Sequence, residues 1–408
     1  MKKTLFVTGI CATLVILVFF LFKGSKDKED PRGNLYAGSK ACVKCHSDIY
    51  HSYLHTAHFL ASLPATENTI HGSFKNGSNV FYVNDSQKVV MEKLDSGLFQ
   101  TYYLKGKAKK RYRFDIVFGG VKGESYLTWN GNELEQLPLS YFKRENQWST
   151  SPGYGFNFLE YPRLRMVSKS CMECHSSYIS NFQGESPELN KTEKFDKSSV
   201  VYSIDCERCH GPAARHVDFQ ARNPEIKTAH FITTYQSLNR SQRMDMCAIC
   251  HSGPPSLMIR STFEFEPGDT FAKFKLPEFS KIIDTEHLDV HGNQVGLLER
   301  SKCYMFSQMD CATCHDTHID NRGEDQLYTQ KCLDCHNKPG HVYCKMTSEL
   351  SEPMLEQNCI NCHMPALPTK VISVQVSDTL PKVQFFVHTH RIAIYPNEVK
   401  KILAYINQ

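Results

Sequence analysis

The pattern of apolar and polar positions changes character along the chain. Behind two lysines, an almost unbroken apolar run extends from Leu5 to Phe22, and it is just long enough to span a bilayer as a helix. A charged stretch, Lys23 to Arg32, follows without the small-residue cleavage site of a secretory signal peptide. We therefore expect an uncleaved signal anchor and linker over residues 1–30, in preference to a cleaved signal. The remainder should then lie on the periplasmic side of a bacterial inner membrane.

Short apolar stretches alternate with turn signals between Val80 and Tyr141. Each stretch has the two-residue period of a β-strand, and pairs such as Asn84-Asp85 and Asn130-Gly131 separate one stretch from the next. The pattern predicts an antiparallel meander, and we assign residues 76–160 to a β-rich insertion.

Other segments have clear periods of their own. Leu238 to His251 has apolar residues at helical spacing. Lys370 to Tyr395 alternates like a strand, which would place His388 and His390 on one face, and Asn397 to Asn407 is predicted to close the chain with a short helix.

Seven copies of Cys-x-x-Cys-His use fourteen of the seventeen cysteines. They are Cys42/Cys45/His46, Cys171/Cys174/His175, Cys206/Cys209/His210, Cys247/Cys250/His251, Cys311/Cys314/His315, Cys332/Cys335/His336 and Cys359/Cys362/His363. Two thiols at this spacing can each add to one vinyl group of a haem, and the adjoining histidine then faces the iron as its proximal ligand. Zinc ribbons and redox-active cysteine pairs also use Cys-x-x-Cys, but neither needs histidine after every copy. The sequence therefore predicts seven covalently attached haems c.

The motifs are spread unevenly, with one near the start and six between Cys171 and His363. This distribution divides the rest of the chain into a first haem segment, residues 31–75, and a six-haem cytochrome domain, residues 161–408, on either side of the insertion. Because porphyrin should take the place of side chains in the core there, we expect short helices and loops and few long helices.

Histidine is plentiful enough to fill both axial positions of every iron. Nineteen are present, so twelve remain after the seven motif histidines. An iron with two imidazole ligands has no open position for a substrate, and the ordinary task of such a centre is electron transfer. Catalysis would need one iron left open.

Charge and the remaining cysteines add little. The formal net charge of +4 and the mixed runs of charge give no support to nucleic-acid binding. Outside the motifs and the apolar run, only Cys303 and Cys344 remain. A disulfide between them and two free thiols are both compatible with the sequence.

Several segments of the chain match a known pattern. They are Tyr36–His46, Thr56–His58, Cys206–Pro212 with His216, Cys247–Gly253, Phe263–Asp269, His291–Gln294, Ser301–Cys303, Cys311–His318, Cys359–Pro365 and His390–Pro396. Together they resemble the cytochrome c-552/c-554 domain family, over most of the chain beyond the apolar run. The resemblance implies a mainly α, haem-packed multihaem cytochrome c fold, to which the β-rich insertion is added.

The resemblance also implies which histidines bind iron on the distal side. They are His58, His216, His318 and His390, followed by His291 and His341. Pentahaem nitrite reductases are more distant relatives of the family and carry a catalytic Cys-x-x-Cys-Lys motif. The chain has no such motif, which argues against that activity.

These observations lead to a membrane-tethered periplasmic cytochrome that passes electrons along closely spaced haems. From the location we expect a quinol-oxidising membrane protein as donor and a periplasmic or outer-membrane reductase as acceptor. The alternative is a multihaem reductase or oxidoreductase with one open-site haem that acts on a small nitrogen or sulfur compound.

Overall fold

The computed structural model describes residues 29–154, 164–182, 193–253, 256–277, 288–340, 343–374 and 382–406. The apolar run predicted as an anchor lies outside these ranges. Within them, no helix combines the length and the apolar character that a membrane crossing requires.

The helices of the described ranges are short. They are α1 Ser39–Cys42, α2 Ser47–Tyr53, α3 Lys169–His175, α4 Cys206–His210, α5 Ala214–Arg222, α6 Arg240–His251, α7 Gln294–Leu298, α8 Lys302–Met305, α9 Asp325–His336, α10 Glu352–His363 and α11 Pro396–Ile406. Single 3-10 turns, such as Cys311–Thr313, lie between some of them. The predicted helices at Leu238–His251 and Asn397–Asn407 are confirmed as α6 and α11.

The strands fall into two groups. The first is β1 Ser62–Pro64, β2 Val80–Asn84, β3 Gln87–Leu94, β4 Gly97–Leu104, β5 Lys107–Arg113, β6 Ile116–Phe118, β7 Gly123–Asn130, β8 Glu133–Gln136, β9 Leu139–Phe142, β10 Gln147–Thr150 and β11 Arg165–Met166. The second is β12 Ser176–Tyr178, β13 Asn181–Phe182, β14 Lys194–Phe195, β15 Val201–Tyr202, β16 Ser256–Met258, β17 Lys275–Pro277, β18 Ala366–Val374 and β19 Val383–His388.

The antiparallel meander is confirmed. Strands β2 to β5 form a four-stranded sheet in chain order. Strands β3 and β4 pair along their whole length, from Gln87 opposite Leu104 to Leu94 opposite Gly97. At the β7–β8 turn, Gly131 has a φ of +56°, a conformation that side-chain-bearing residues rarely adopt.

A second sheet extends past both ends of the predicted insertion. Its path is β1-β6-β7-β8-β11, and β9 and β10 are attached through β7. Ser62 to Pro64 pairs with β6, and Arg165 and Met166 pair with β8. Hydrogen bonds therefore join the insertion to both flanking haem segments.

The two sheets bury one apolar core between them. Along β2 the pattern has a period of two, since Phe81 and Val83 are buried while Tyr82 is 68% exposed. The inner residues Met91 and Tyr126 are fully buried. The aromatic rings of Phe114, Tyr126 and Tyr141 meet around Trp148. The insertion therefore has a side-chain core of its own.

A second apolar cluster ties the insertion to the haem region. It joins Ile116, Leu127 and Leu134 of the larger sheet to Met172 of α3 and to Phe195. Because Met172 lies between the two cysteines of a haem motif, the sheet directly supports that motif.

The expectation of a mainly α fold is not clearly supported, because the described residues are 33% helix and 25% strand. The strand content comes from the insertion and from four two-stranded ladders in the haem region. Haem segments in this chain are therefore joined by short ladders as well as by helices.

The C-terminal strand is shorter than predicted. Strand β19 ends at His388, so His388 and His390 do not share a strand face. His388 is exposed, and its Nδ1 atom lies 2.7 Å from the Met364 carbonyl oxygen. His390 lies beyond the strand end, and its ring faces His315.

Candidate haem-binding sites

Five of the Cys-x-x-Cys-His motifs end a helix. Helices α3, α4, α6, α9 and α10 finish at the histidines His175, His210, His251, His336 and His363. In a helix, positions i, i+3 and i+4 share one face, so both thiols and the following imidazole are presented together. Helix α6 begins with a capping box, in which Asn239 and Gln242 each bond the other's backbone N–H at 3.0 Å.

The first motif is built differently, because helix α1 ends at Cys42 and leaves Cys45 beyond it. The backbone N–H groups of Cys45 and His46 donate to the Cys42 carbonyl oxygen at 3.1 and 2.8 Å, so one turn still brings the three residues together. Cys45 is exposed, as are Cys171 and Cys335, whereas the other eleven motif cysteines are half-buried. Attachment of a haem at each of these motifs is a prediction from the spacing of its cysteines.

Four motif histidines lie opposite a second histidine. The ring centroids are separated by 6.5 Å in His46–His216, 6.1 Å in His210–His318, 6.2 Å in His251–His58 and 6.2 Å in His315–His390. A metal–imidazole bond of about 2 Å, with about 1 Å more from the nitrogen to its ring centre, places two axial rings about 6 Å apart. The residues therefore fit an iron between each pair.

The four pairs differ in the angle between their ring planes. The planes are within 26° of parallel in three pairs, whereas those of His58 and His251 cross at 76°. Ring orientation affects the magnetic anisotropy of a low-spin ferric iron, so the pairs are distinguishable by spectroscopy.

Hydrogen bonds at Nδ1 orient several of these rings. The His210 Nδ1 atom lies 3.2 Å from the Thr233 carbonyl oxygen, and the His216 Nδ1 atom lies 2.8 Å from the His230 carbonyl oxygen. The His251 Nδ1 atom lies 3.3 Å from Oε1 of Gln294, and the His318 Nδ1 atom lies 3.1 Å from Oδ1 of Asp316. Occupation of Nδ1 leaves Nε2 as the metal-binding nitrogen.

Burial keeps two of the facing histidines neutral. Burial and the nearby His251 lower the pKa of His58 to about 4. Burial and His315 lower the pKa of His390 to about 4 as well. A neutral imidazole is the form that binds a metal.

Thiols of different motifs lie side by side. Cys42 lies beside Cys206, Cys174 beside Cys250 and Cys247 beside Cys311, close enough for each thiol to shift the pKa of its neighbour. Three further pairs lie within electrostatic range, namely Cys209 with Cys247, Cys314 with Cys335 and Cys332 with Cys359. The attachment points are therefore contiguous from the first motif to the seventh.

Comparison with known proteins shows what the chain resembles. No family model matches the chain. It is 21% identical, over 391 residues, to the dissimilatory sulfite reductase MccA of Wolinella succinogenes, an alignment covering 81% of this chain. The chain spans only 51% of the length of that relative. The crystal structure of the outer cell wall cytochrome OcwA has a similar fold, with a TM-score of 0.53 and 18% identity over 90% of this chain and 81% of that one.

A cytochrome fold and repeated haem-attachment motifs thus occur in one molecule. Together they support a multihaem c-type cytochrome. The motif cysteines and histidines are the residues that would hold covalently bound haem c.

Charged residues inside the second and third motifs form buried hydrogen bonds that hold the helices of these motifs together. Arg208, from the third motif, donates to the carbonyl oxygens of Thr262 at 2.6 Å and Glu173 at 3.3 Å. The buried carboxylate of Glu173, from the second motif, accepts bonds from Ser261 and from the Thr262 backbone. The variable positions of these motifs are therefore structural.

A second set of buried contacts is formed by Arg32. Its guanidinium bonds Asp30, Asp205 and Glu207 at 2.8 to 3.0 Å, and all four side chains are nearly buried. Glu207 also accepts the backbone N–H groups of the segment before α1. The first and third motifs are held together in this way.

The histidine of the second motif has different surroundings. The ring of His175 lies flat on Phe118, with centroids 4.7 Å apart, and its Nδ1 atom is 3.3 Å from the Ala61 carbonyl oxygen. Burial lowers its pKa, and nearby His291 and His251 lower it further. No second histidine ring is paired with it within the described residues.

The other predicted axial ligands are not paired in this way. In the described part of the chain, His291 faces no histidine ring at the iron-spanning distance; it lies near Asp289, Lys122 and His251. His341 lies outside the described residues. His336 ends α9, and His363 ends α10 with its Nδ1 atom 2.9 Å from the Ala393 carbonyl oxygen.

The structure holds Cys303 and Cys344 as free thiols. Cys303 lies near Cys335, and Cys344 lies near Cys359 and Cys362. The two thiols therefore belong to the surroundings of different haem motifs.

Sequence reasoning missed the supporting residues around the motifs. Glu173, Glu207 and Arg208 are charged, yet each is less than 9% exposed. Charge within a Cys-x-x-Cys-His motif could not have identified them, because Lys44 and Asp334 are charged at such positions and are exposed.

Proposed function

We propose that the protein is a periplasmic, membrane-tethered heptahaem cytochrome that transfers electrons along closely spaced, mostly bis-histidine haems. The observation that carries the proposal is the set of four histidine pairs at 6.1 to 6.5 Å. In each pair one member belongs to a Cys-x-x-Cys-His motif, and the other comes from a distant part of the chain.

The proposal assigns iron ligands to these pairs. The distal ligands are His216 for the first motif, His318 for the third, His58 for the fourth and His390 for the fifth. Haem iron with two imidazole ligands supplies one-electron Fe(III)/Fe(II) chemistry, and the protein tunes it through hydrogen bonds, charge and burial. The motif cysteines would hold the porphyrins as thioethers.

Contacts between thiols support an order of electron transfer. The neighbours Cys42–Cys206, Cys209–Cys247 and Cys247–Cys311 indicate the path 1–3–4–5 through the motifs, and the fifth motif continues to the sixth and seventh. The pair Cys174–Cys250 adds the second motif as a branch from the fourth. In this order the fourth haem is a junction.

Partners follow from the proposed location. We propose a quinol-oxidising membrane protein as electron donor and a periplasmic or outer-membrane reductase as acceptor. The predicted anchor at Leu5 to Phe22 would keep the haems close to such a donor.

Electron paramagnetic resonance of the oxidised full-length protein tests the ligand assignment. We expect low-spin signals from the four paired haems, one of them more anisotropic because the His58 and His251 planes are crossed. Replacing His216 with Ala should convert one haem from low spin to high spin. The matched control is His230→Ala, since the His230 ring contacts Phe219 while only its backbone carbonyl contacts His216.

Two results would contradict the assignment. One is a low-spin count that stays the same in His216→Ala. The other is a count of low-spin haems below four in the unaltered protein.

A second candidate function is reduction of a small sulfur or nitrogen oxyanion at the second motif's haem. The observation that favours it is the pairing of His175 with Phe118 rather than with another histidine. Cationic Lys122 lies near His291, and His291 lies near His175. The sulfite reductase among the relatives is consistent with such chemistry.

The same spectra separate the two functions. A high-spin ferric signal that changes on addition of sulfite or nitrite would establish the open site. Low-spin signals equal to the full haem content would exclude it and leave electron transfer as the function.

A further inference from the structure

The four histidine pairs differ most in what the Nδ1 atoms of their distal rings contact. Acceptors range from a carboxylate for His318, through a backbone carbonyl for His216, to none within the described residues for His390. A carbonyl acceptor is a dipole, whereas a carboxylate carries a full negative charge. The acceptors therefore differ in how strongly they increase the electron donation of the imidazole to iron.

Asp316 is held in place for this contact. Its Oδ1 atom accepts the His318 backbone N–H at 2.9 Å as well as the ring Nδ1 at 3.1 Å, so one oxygen is bonded twice by the same residue. The nearest arginine in this loop, Arg322, pairs instead with Asp320, its Nε atom 2.6 Å from Oδ1. The negative charge of Asp316 is therefore directed at the histidine rather than at a cation.

The His315–His390 pair lies at the other extreme. The Nδ1 atom of His390 is buried and forms no hydrogen bond of normal geometry in the described part of the chain, although the His388 backbone lies close to the ring. Burial favours the iron state with the smaller positive charge, Fe(II). An imidazole without an Nδ1 acceptor also donates less electron density, so both effects act in the same direction.

We propose that Asp316 is a positioning residue that makes the third motif's haem the most reducing of the four paired haems, and that the fifth motif's haem is the most oxidising. The inference rests on the axial ligation proposed above. A carboxylate hydrogen bond makes the imidazole more anionic and stabilises Fe(III), which lowers the reduction potential. Along the path 3–4–5, electrons would then move downhill toward the fifth haem.

The test is a potentiometric titration of the full-length holoprotein, followed by electron paramagnetic resonance. His318→Met and His390→Met first identify the signals of the third and fifth haems by their loss. Asp316→Asn removes the charge and keeps an acceptor oxygen. The reduced-to-oxidised ratio of the third haem at a fixed solution potential should rise about three- to tenfold, where tenfold corresponds to about 59 mV for a one-electron couple.

The control is Asp320→Asn, which removes a charge from the same loop without removing a bond to a histidine. It should move the third haem's midpoint by less than Asp316→Asn does. An unchanged midpoint in Asp316→Asn, or an equal shift in Asp320→Asn, would overturn the role of Asp316. A midpoint of the third haem above that of the fifth in the unaltered protein would overturn the proposed order.

Failure of the underlying ligation has a different signature. If His318→Met leaves every low-spin signal unchanged, His318 is not an iron ligand, and the proposed function fails at that haem. If the signal is lost in His318→Met but the midpoint is unmoved in Asp316→Asn, ligation stands and only the tuning fails.

Discussion

The insertion and the haem region reach stable structures by different means. In the described part of the insertion, thirteen buried apolar residues form one cluster together with Ile70. Helices α9 and α10, which carry the sixth and seventh motifs, bury only Thr329, Leu333 and Leu355. In the proposed heptahaem form, porphyrin faces supply the apolar surface that side chains supply in the insertion.

The polar contacts differ in the same way. The haem region is joined by buried charged groups at the motifs, such as Arg32 with Glu207 and Arg208 with the Glu173 carbonyl. Most of these groups are backbone-bonded or paired, as buried charge requires. Cofactor attachment occupies the cysteines and histidines, so neighbouring residues must carry the specific contacts. In the haem region, directional bonds therefore compensate for a small side-chain core.

The largest predicted effect comes from breaking one of those bonds. Arg32→Met would leave Asp205 and Glu207 buried without their cation, and we expect a loss of about 3–5 kcal/mol in the free energy of unfolding. Chemical denaturation followed by haem absorbance measures it. The control is Arg222→Met, at an exposed pair with Asp218, which should cost about 0.5 kcal/mol or less.

Acid should reduce the difference in the free energy of unfolding between Arg32→Met and the unaltered protein. Although burial raises the pKa of Asp30, bonds and charge from Arg32 lower it overall. A carboxylate with a lowered folded-state pKa contributes stability above its unfolded value, about 3.9, and loses it as pH falls through the folded value. The gap should therefore be widest near neutral pH and shrink below about pH 4. A gap of equal size at pH 3 and pH 7 would argue against the charge network.

A second prediction concerns the insertion. Met91 is fully buried in its core, so Met91→Ala should cost about 2–5 kcal/mol in the stability of the sheets. The low-spin haem spectrum at neutral pH should stay unchanged, because the substitution lies in the core shared by the two sheets. Circular dichroism in the far ultraviolet and haem absorbance, recorded in one melt, separate the two regions. Tyr82→Ala, at a position 68% exposed, is the control and should have little effect.

The same contrast explains what the sequence could predict. The two-residue period of β2 to β7 and its turn pairs predicted the meander well, because strand pairing in the insertion is local. The seven motifs were visible because haem attachment needs a fixed local spacing. Pairings such as His251 with His58 join residues far apart in sequence, so local patterns carry no information on them. The family resemblance nominated the four distal histidines that the structure brings opposite motif histidines.

Other features were outside the reach of pattern analysis. The strand content of the haem region was not predicted because the short ladders, such as β12 with β15, are too brief to show a period. The end of β19 at His388 was missed for a similar reason, since alternation continues into a segment that leaves the sheet. The order of the motifs in space appeared only through contacts between thiols.

The smallest predicted effect concerns the N-terminal cap of α6 and its influence on stability and on the haem ligand His251. Asn239 caps α6, and Asn239→Ala removes an acceptor for the Gln242 backbone N–H, which should cost about 1 kcal/mol. The fourth motif ends this helix, and in the proposed order its haem is the junction. We therefore expect slower electron transfer only if fraying of the helix reaches His251, twelve residues away along the chain.

Gln330→Ala is the control, because Gln330 lies within a haem-motif helix and bonds only the exposed Asp334. A loss of stability with unchanged anisotropy of the His58–His251 signal would show that the helix start and the haem ligand are energetically separate. A change in that signal would show instead that a local cap, the kind of feature readable from sequence, controls a long-range ligand pair.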